Sequence, residues 1–134
     1  MGWIELKKIS LSHGNGGRLA GDLIDNIFIK YFNNPILNQK DDSAILPKIK
    51  GEMVVTTDSY VINPIFFPGG DIGKLAVCGT LNDLSMNGAI PLYLTTGFIL
   101  EEGFSVEELE RIIKSMAFTA RKANVKIVAG DTKV

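Results

Sequence analysis

The spacing of apolar residues along the chain predicts two amphipathic helices. Between residues 19 and 31 an apolar side chain returns at every fourth position, and Pro35 stops the pattern shortly afterwards. The clearer helix begins after Ser105, which forms a capping box with Glu108 ahead of an apolar stripe over residues 106–120. Spacings of three and four residues place such a stripe on one face of the helix, which we expect to pack against a core.

Shorter apolar runs, bounded by glycine, proline or polar residues, predict strands. They lie at residues 41–46, 53–58, 91–100 and 125–129. Residues 71–86 are rich in small apolar side chains and predict a third, tightly packed helix in spite of its glycines. The predicted order is therefore one helix followed by β-β-α-β-α-β.

This order predicts an α+β domain with a four-stranded mixed sheet and helices on one face of that sheet. The strands predicted at residues 53–58 and 91–100 are apolar on nearly both sides, so the other face of the sheet also needs cover. We expect a second copy of the chain to provide that cover, which gives a homodimer that pairs through the sheet.

Length and composition narrow the class of protein. The chain has 134 residues, 46% of them hydrophobic and 22% charged, which is typical of one globular domain over residues 1–134. A net charge of −1 without a basic stripe argues against binding to nucleic acid. The longest largely apolar run, residues 90–100, is too short to span a bilayer, and the first ten residues lack the apolar core of a signal peptide. We expect a cytoplasmic protein with no membrane partner.

The chain contains one histidine, His13, and one cysteine, Cys78. A disulfide within the chain and a Cys/His zinc site are therefore excluded, so a bound metal needs oxygen ligands, which favours Mg²⁺. A lone histidine more often has a structural role than a catalytic one. Cys78 lies within a predicted helix, where a buried and unreactive thiol is the better interpretation.

Four aspartates stand at turns or beside the ends of predicted elements: Asp42, Asp58, Asp83 and Asp131. Carboxylates at strand ends can converge at one edge of a sheet, where they could hold enough Mg²⁺ to neutralise a triphosphate. The alternative for each aspartate is an ordinary turn or helix cap. We expect Asp58, Asp83 and Asp131 to approach one another, with Asp42 nearby and a neighbouring subunit able to complete the cluster.

Other residues are candidates for binding phosphate. Residues 14–17, Gly-Asn-Gly-Gly, precede the first helix, and their backbone N–H groups could cradle a phosphate. The segment fits neither the P-loop nor the GxGxxG pattern, and a flexible hinge explains it equally well. Lys74 and Lys133 are the lysines nearest the acidic motifs and could offset charge on a phosphoryl group, although both residues are also compatible with a solvated surface.

Taken together, these motifs resemble the N-terminal half of the HypE family of hydrogenase-maturation proteins. That family belongs to the superfamily of aminoimidazole ribonucleotide (AIR) synthetase, selenophosphate synthetase and thiamine monophosphate kinase. The resemblance covers nearly the whole chain and rests on GNGGR (14–18), QKDDSA (39–44), TTDSYV (56–61), FFPGGDIGKLAVCGTLNDLSMNGA (66–89), EEGF (101–104) and GDTKV (130–134).

The resemblance implies a fold similar to the N-terminal domain of AIR synthetase (PurM), with ATP and Mg²⁺ bound near the interface of a dimer. By position, the four aspartates match acidic residues for metal and phosphate, and Asp83 and Lys133 match the positions assigned to catalysis. The resemblance further assigns nucleotide binding to a larger set of residues: Asn15, Gly16, Gly17, Asp42, Asp58, Lys74, Asn82, Asp131 and Thr132.

The reaction implied is the ATP-dependent dehydration of a carboxamide, carried on the family's own C-terminal cysteine, to a thiocyanate. The product supplies the cyanide ligand of nickel–iron hydrogenases, and the partners implied are the carbamoyltransferase HypF and the HypC/HypD complex. Since residues 1–134 contain neither a second domain nor a C-terminal cysteine, we expect this chain to be a fragment that is inactive alone.

Two alternatives stay open at this point. The chain could belong to another ATP-dependent enzyme of the superfamily, of the selenophosphate synthetase or thiamine monophosphate kinase type. It could also be a dimerisation and docking module without chemistry, and binding of ATP would count against that alternative.

Overall fold

The computed structural model describes residues 7–134. Its first helical region is continuous and consists of α1 (Arg18–Leu23), a π-helical stretch (Ile24–Ile29) and α2 (Lys30–Phe32), flanked by single 3-10 turns at Leu11–His13 and Leu37–Gln39. The remaining elements are β1 (Phe66–Phe67), β2 (Gly70–Asp71), α3 (Ile72–Met86), β3 (Tyr93–Ile99), α4 (Val106–Lys122) and β4 (Lys126–Lys133). All three predicted helices are therefore present.

β3 and β4 form a parallel pair that α4 connects. The register runs from Tyr93 opposite Lys126 to Ile99 opposite Lys133, with an irregularity after Leu94. The strand predicted at residues 91–100 is confirmed, whereas the strand predicted at 125–129 continues much further than expected. The Gly-Asp-Thr-Lys motif consequently lies on a strand and not in the turn behind it.

α4 supplies much of the core. The Ser105 hydroxyl oxygen accepts a hydrogen bond from the Glu108 backbone N–H at 3.3 Å, as the capping pattern predicted, and Asn124 follows the helix with a left-handed φ of 56°. The predicted apolar stripe is buried, and its members pack with Leu23 and Ile27 of the first helical region. The buried residues of α4 are Leu109, Ile112, Ile113, Met116, Ala117 and Ala120.

α3 lies close against α4. The Asp71 side chain caps α3 by accepting hydrogen bonds from the backbone N–H groups of Gly73 (2.7 Å) and Lys74 (3.1 Å). A Cβ atom at Gly73 would stand 2.6 Å from the backbone oxygen of Ile112, so the two helices approach each other where glycine has no side chain. This close packing fixes the position of α3 relative to α4.

The N-terminal segment is held to the loop ahead of α4. The Ile9 N–H donates to Phe104 O at 2.8 Å, and Gly103 N–H donates back to Ile9 O at 2.8 Å. Ile9 itself is 1% exposed and belongs to the core. These contacts bring the glycine loop, which follows directly, to the same end of the molecule as the end of β3.

Two predicted strands are wrong. Residues 41–46 and 53–58 form no strand, although the structure describes the whole stretch. Their apolar side chains are largely in solvent, with Ile45 77% and Val55 84% exposed. A strand requires a neighbour for its backbone hydrogen bonds, and in the described chain neither stretch forms a backbone hydrogen bond with another segment.

The expected four-stranded mixed sheet is also wrong for the single chain. Within residues 7–134 the strands form two separate pairs, an antiparallel β1–β2 hairpin of two residues a side and the parallel β3–β4 pair. The hairpin arises in a stretch where proline and glycine make a tight reversal. Among the described helices, none is both long and apolar enough to cross a membrane. Pairing of sheets across a dimer stays a prediction.

A candidate nucleotide and metal site

Asp58 and Asp83 come together although 25 positions separate them in the sequence. Asp83 lies on α3, and Asp58 belongs to the extended segment ahead of β1. The negative charge of Asp58 raises the pKa of the exposed Asp83 carboxyl above its ordinary 3.8, with a hydrogen bond to Asp58 and slight desolvation acting in the same direction. Two carboxylates in this arrangement repel each other unless a proton or a cation lies between them.

Tyr60 lies beside this pair and contacts α3. Its hydroxyl donates a hydrogen bond to Asp58 Oδ2 at 3.3 Å. A Cβ atom at Gly79 would overlap that hydroxyl and would stand 2.8 Å from the ring carbon Cζ. Burial raises the pKa of the Tyr60 phenol, and the charges of Asp58 and Asp83 act in the same direction, whereas a hydrogen bond with the Thr80 side chain lowers it. The sequence prediction missed both Tyr60 and Gly79.

A third carboxylate does not join the pair. Across residues 7–134, no group of three or more acidic, histidine or cysteine side chains is placed to hold a metal ion. The expected convergence of Asp58, Asp83 and Asp131 with Asp42 is therefore wrong within one chain, and only the pair of Asp58 and Asp83 forms. Asp42 and Asp131 are exposed, and their role as metal ligands stays a prediction.

Asp131 has a different partner. The Lys133 ammonium lies 2.7 Å from Asp131 Oδ1, and both side chains are exposed. The hydrogen bond from Lys133 is the first cause that holds the pKa of Asp131 below its ordinary value. Thr132 between them is half-buried on β4. The end of β4 thus presents an ion pair whose charges already offset each other in solvent.

The glycine loop lies against the end of β4. A Cβ atom at Gly14 would stand 2.9 Å from the backbone nitrogen of Val134. Asn15, Gly16 and Gly17 are exposed, Gly16 with a φ of +76°, and Gly17 occupies the N-cap of α1. Two sequence motifs that are far apart along the chain, the glycine loop and the Gly-Asp-Thr-Lys motif, therefore meet at one place on the surface.

Lys74 and Asn82 lie on α3 and are both exposed. The Lys74 ammonium donates to the backbone oxygen of Gly69 at 2.8 Å, which holds it over the β1–β2 hairpin. Asn82 adjoins Asp83 on the last two turns of the helix. The two side chains do not contact each other in the hydrogen-bond pattern of the described residues, and their role in binding a nucleotide stays a prediction.

A comparison with protein families gives a match over most of the chain. Residues 40–134 match the family described as AIR synthase related protein, N-terminal domain. The chain belongs to the AIR synthase-related family. All four predicted aspartates fall within the matched residues, whereas the glycine loop precedes them. The mixed α/β fold of this AIR synthase-related domain agrees with the resemblance drawn from the motifs.

Comparison with individual members of the AIR synthase-related family gives a more specific result. The carbamoyl dehydratase HypE of Rhizobium leguminosarum bv. viciae is 54% identical over 127 residues, which are 95% of this chain and 36% of that protein. The corresponding protein of Escherichia coli (strain K12) is 50% identical over 134 residues, or 96% of this chain and 40% of that protein. This chain therefore spans well under half the length of the curated relatives it matches.

Solved structures of family members agree with the fold. A crystal structure of the hydrogenase maturation protein HypE in complex with ATP superposes with a TM-score of 0.91 at 54% identity, over 93% of this chain and 37% of that one. A structure of a HypE–HypF complex gives a TM-score of 0.62 at 58% identity, over 84% of this chain and 36% of that one. The resemblance to HypE proposed from the sequence is confirmed.

The lone histidine of this AIR synthase-related domain has a structural place. His13 is 1% exposed, and its Nδ1 accepts a hydrogen bond from the Ser10 backbone N–H at 3.0 Å. Its Nε2 has no hydrogen-bond partner among the described residues. Cys78 is half-buried on α3. Neither residue touches the carboxylate pair through a hydrogen bond in the described residues.

Proposed function

We propose that this chain is the ATP-handling N-terminal domain of a HypE-type carbamoyl dehydratase. The observation that carries the proposal is the TM-score of 0.91, at 54% identity, with a HypE structure in complex with ATP. Residues 1–134 form, in this proposal, a single domain for nucleotide binding and dimerisation. The match covers 36% of the related carbamoyl dehydratase, so we assign to this chain only the nucleotide-handling part of that activity.

We infer that the bound metal is Mg²⁺ and that Asp58 and Asp83 are its main ligands. Their mutual repulsion, reflected in the raised pKa of Asp83, fits a divalent cation, which would offset both charges at once. A hard cation also matches a set of ligands made only of oxygen. Bound there, Mg²⁺ would neutralise phosphate charge and so make the triphosphate easier to attack.

Asp42 and Asp131 belong to the same proposed site as more distant members. Asp131 has Lys133 as its cation in the free chain, so it would become available to Mg²⁺ only if Lys133 turned towards another anion. A phosphate or a substrate oxygen is such an anion. We therefore infer that Lys133 exchanges Asp131 for the reacting group when the nucleotide binds, and that Thr132 lines the same edge.

The phosphates are proposed to lie between the glycine loop and α3. Gly16 and Gly17 offer backbone N–H groups in the loop whose Gly14 lies against Val134, and Asn15 adds a side-chain amide. Lys74 and Asn82 would contact the nucleotide from α3. Orientation of the γ-phosphate by several weak contacts, together with exclusion of water, is how such sites contribute to rate.

For the complete protein, the proposed reaction is the dehydration of a cysteine S-carboxamide. The amide oxygen attacks the γ-phosphorus of ATP, and ADP leaves. The C–O bond then breaks, phosphate carries the oxygen away, and loss of the two N–H protons leaves the C≡N bond of a thiocyanate. In this scheme Lys133 stabilises the charge that develops on the transferred group, and Asp83 holds the metal.

Assembly is part of the same proposal. Several apolar side chains ahead of β1 are exposed, among them Val61 at 100%, and Ile99 on β3 is 92% exposed. A homodimer in which the segment at residues 41–61 finds a sheet to pair with would cover them. HypF is a proposed partner because a structure of a HypE–HypF complex is similar, and the HypC/HypD complex and a cytoplasmic location remain predictions from the sequence.

Replacement of Asp83 tests the metal assignment. We expect Asp83→Asn to raise the Mg²⁺ concentration for half-maximal ATP hydrolysis by the complete protein at least about tenfold. Asp22→Asn is the matched control, because the Asp22 carboxylate lies on α1, away from the carboxylate pair, with Arg18 at 3.8 Å as its cation. Unchanged Mg²⁺ dependence in Asp83→Asn, or the same loss in the control, would contradict the proposal.

A further inference from the structure

The segment that carries Asp58 has little regular structure to hold it. Residues 41–61 form no strand, and many of their side chains are exposed. Nevertheless the Asp58 side chain lies beside that of Asp83 on α3. Something in the chain must therefore fix this part of the segment against the helix.

Tyr60 makes that contact. Its side chain is half-buried against the small residue Gly79, where any Cβ atom would overlap the phenol oxygen. In this position the Tyr60 hydroxyl donates a hydrogen bond to Asp58 Oδ2 at 3.3 Å. One aromatic side chain thus connects the helix to the segment and, through its hydroxyl, to one member of the carboxylate pair.

We propose that Tyr60 is a positioning residue, which docks on Gly79 and holds Asp58 beside Asp83 so that the carboxylate pair is formed before a cation arrives. The inference rests on the proposed function for the identity of that cation. It adds that the metal affinity of the pair depends on a contact outside the carboxylates. Gly79 is needed there because it leaves room for the phenol, one helical turn ahead of Asp83.

The physical reason is pre-organisation. If the segment were not held, it would have to lose conformational freedom before Asp58 could share a cation with Asp83, and that loss would weaken binding. Docking of the ring beforehand removes this loss from the binding step. The hydrogen bond to Asp58 additionally fixes which oxygen remains free to face the cation.

The contact itself is tested by a double-mutant cycle on the 134-residue chain in EDTA. Gly79→Ala should lower the melting temperature when Tyr60 is present, because the new methyl group displaces the ring. In the Tyr60→Ala background the same change should have no such effect, because the space is empty. Gly21→Ala is the control, since a Cβ atom there would have no heavy atom within 4 Å. Additive effects of the two substitutions would overturn the inference.

The positioning role is tested by Mn²⁺ titration followed by electron paramagnetic resonance. We expect Tyr60→Ala and Gly79→Ala each to weaken Mn²⁺ binding about tenfold, and Tyr60→Phe, which keeps the ring, about threefold. The double variant should bind no more weakly than Tyr60→Ala alone. Coupled melting with unchanged Mn²⁺ affinity would show a purely structural contact and overturn the positioning role.

The two proposals fail in different ways. A wild-type chain that takes up no Mn²⁺ would remove the carboxylate pair as a metal site, and both proposals would fall together. A wild-type chain that binds Mn²⁺, with affinity unaltered by the Tyr60 and Gly79 variants, would leave the proposed function intact and remove only the positioning role.

Discussion

Gly73→Ala should destabilise the domain although it places a better helix-forming residue in α3. The added methyl group would stand 2.6 Å from the Ile112 backbone oxygen, 2.7 Å from Met116 Cγ and 2.9 Å from Asp71 Oδ1. The side chain of Met116 can adapt, but a backbone oxygen within α4 cannot move alone. The substitution therefore forces α3 and α4 apart.

The magnitude follows from two opposing effects. Overpacking of a dense core costs about 1–3 kcal/mol. Alanine in place of glycine favours the helix and lowers the entropy of the unfolded chain, which returns about 0.4–1 kcal/mol. The difference spans about 0–2.6 kcal/mol, and because the clash is with a backbone oxygen we expect the upper part of that range, about 1–2.6 kcal/mol. This corresponds to a fall in melting temperature of about 3–12 °C for a domain of this size.

Thermal unfolding followed by circular dichroism measures this change, with Gly21→Ala as the control. A Cβ atom at Gly21 meets open space, so that substitution should stabilise the chain by about 0.4–1 kcal/mol. The two glycine-to-alanine changes should thus have opposite signs. A melting temperature for Gly73→Ala equal to or above that of the wild type would refute the close approach of α3 and α4.

Three further changes test the cap, a surface carboxylate and the carboxylate pair. Asp71→Ala removes the cap of α3 and should cost about 1 kcal/mol in urea unfolding, whereas Asp71→Asn should retain most of it. The hydrogen bond from Tyr31 lowers the pKa of Glu110 below its ordinary 4.5, so the wild type should lose stability as the pH falls through that region, and Glu110→Gln should lose less. Because Asp58 raises the pKa of Asp83 in the folded chain, the free energy of unfolding of the metal-free wild type should fall as the pH rises from 3.8 through that higher pKa. Asp83→Asn should not show this fall, and parallel curves of unfolding free energy against pH for the two proteins would refute the expectation.

The helices could be predicted from the sequence because their signals are local. α4 has a capping serine, an apolar stripe and a terminating asparagine, all within 20 consecutive positions, and the structure has all three. α3 begins directly after Asp71, whose capping role the sequence prediction did not recognise. The apolar run that predicted β3 was an equally local signal, and that strand was placed correctly to within two residues.

The two failed strands show what local signals omit. Residues 53–58 have the composition of a strand, but strand formation depends on a neighbour that alternation does not identify. The unexpected length of β4 also depends on a neighbouring strand, which in this case is present. Residues with turn-like composition, Gly130 and Asp131, continue the strand because β3 provides hydrogen bonds for them.

Prediction of the site was limited by side-chain contacts between remote segments. The aspartates could be chosen by residue type and by resemblance, but only the fold distinguishes the pair of Asp58 and Asp83 from Asp131, which has Lys133. Tyr60 stands two positions after Asp58, and this proximity in sequence was the one signal that could have included Tyr60 in the predicted site. The need for a glycine at position 79 could not be recognised without knowing which side chain packs on it.

The late position of α4 in the sequence has a consequence for synthesis on the ribosome. The first helical region emerges early, yet its apolar residues Leu23 and Ile27 pack with side chains of α4, and Tyr31 hydrogen-bonds to Glu110. Translation at about 5–20 residues per second leaves this helix without its partner for about 5–20 seconds. β3, α4 and β4 are consecutive, so they can fold as a unit once made, and until then the apolar face of the first helical region stays without its partner.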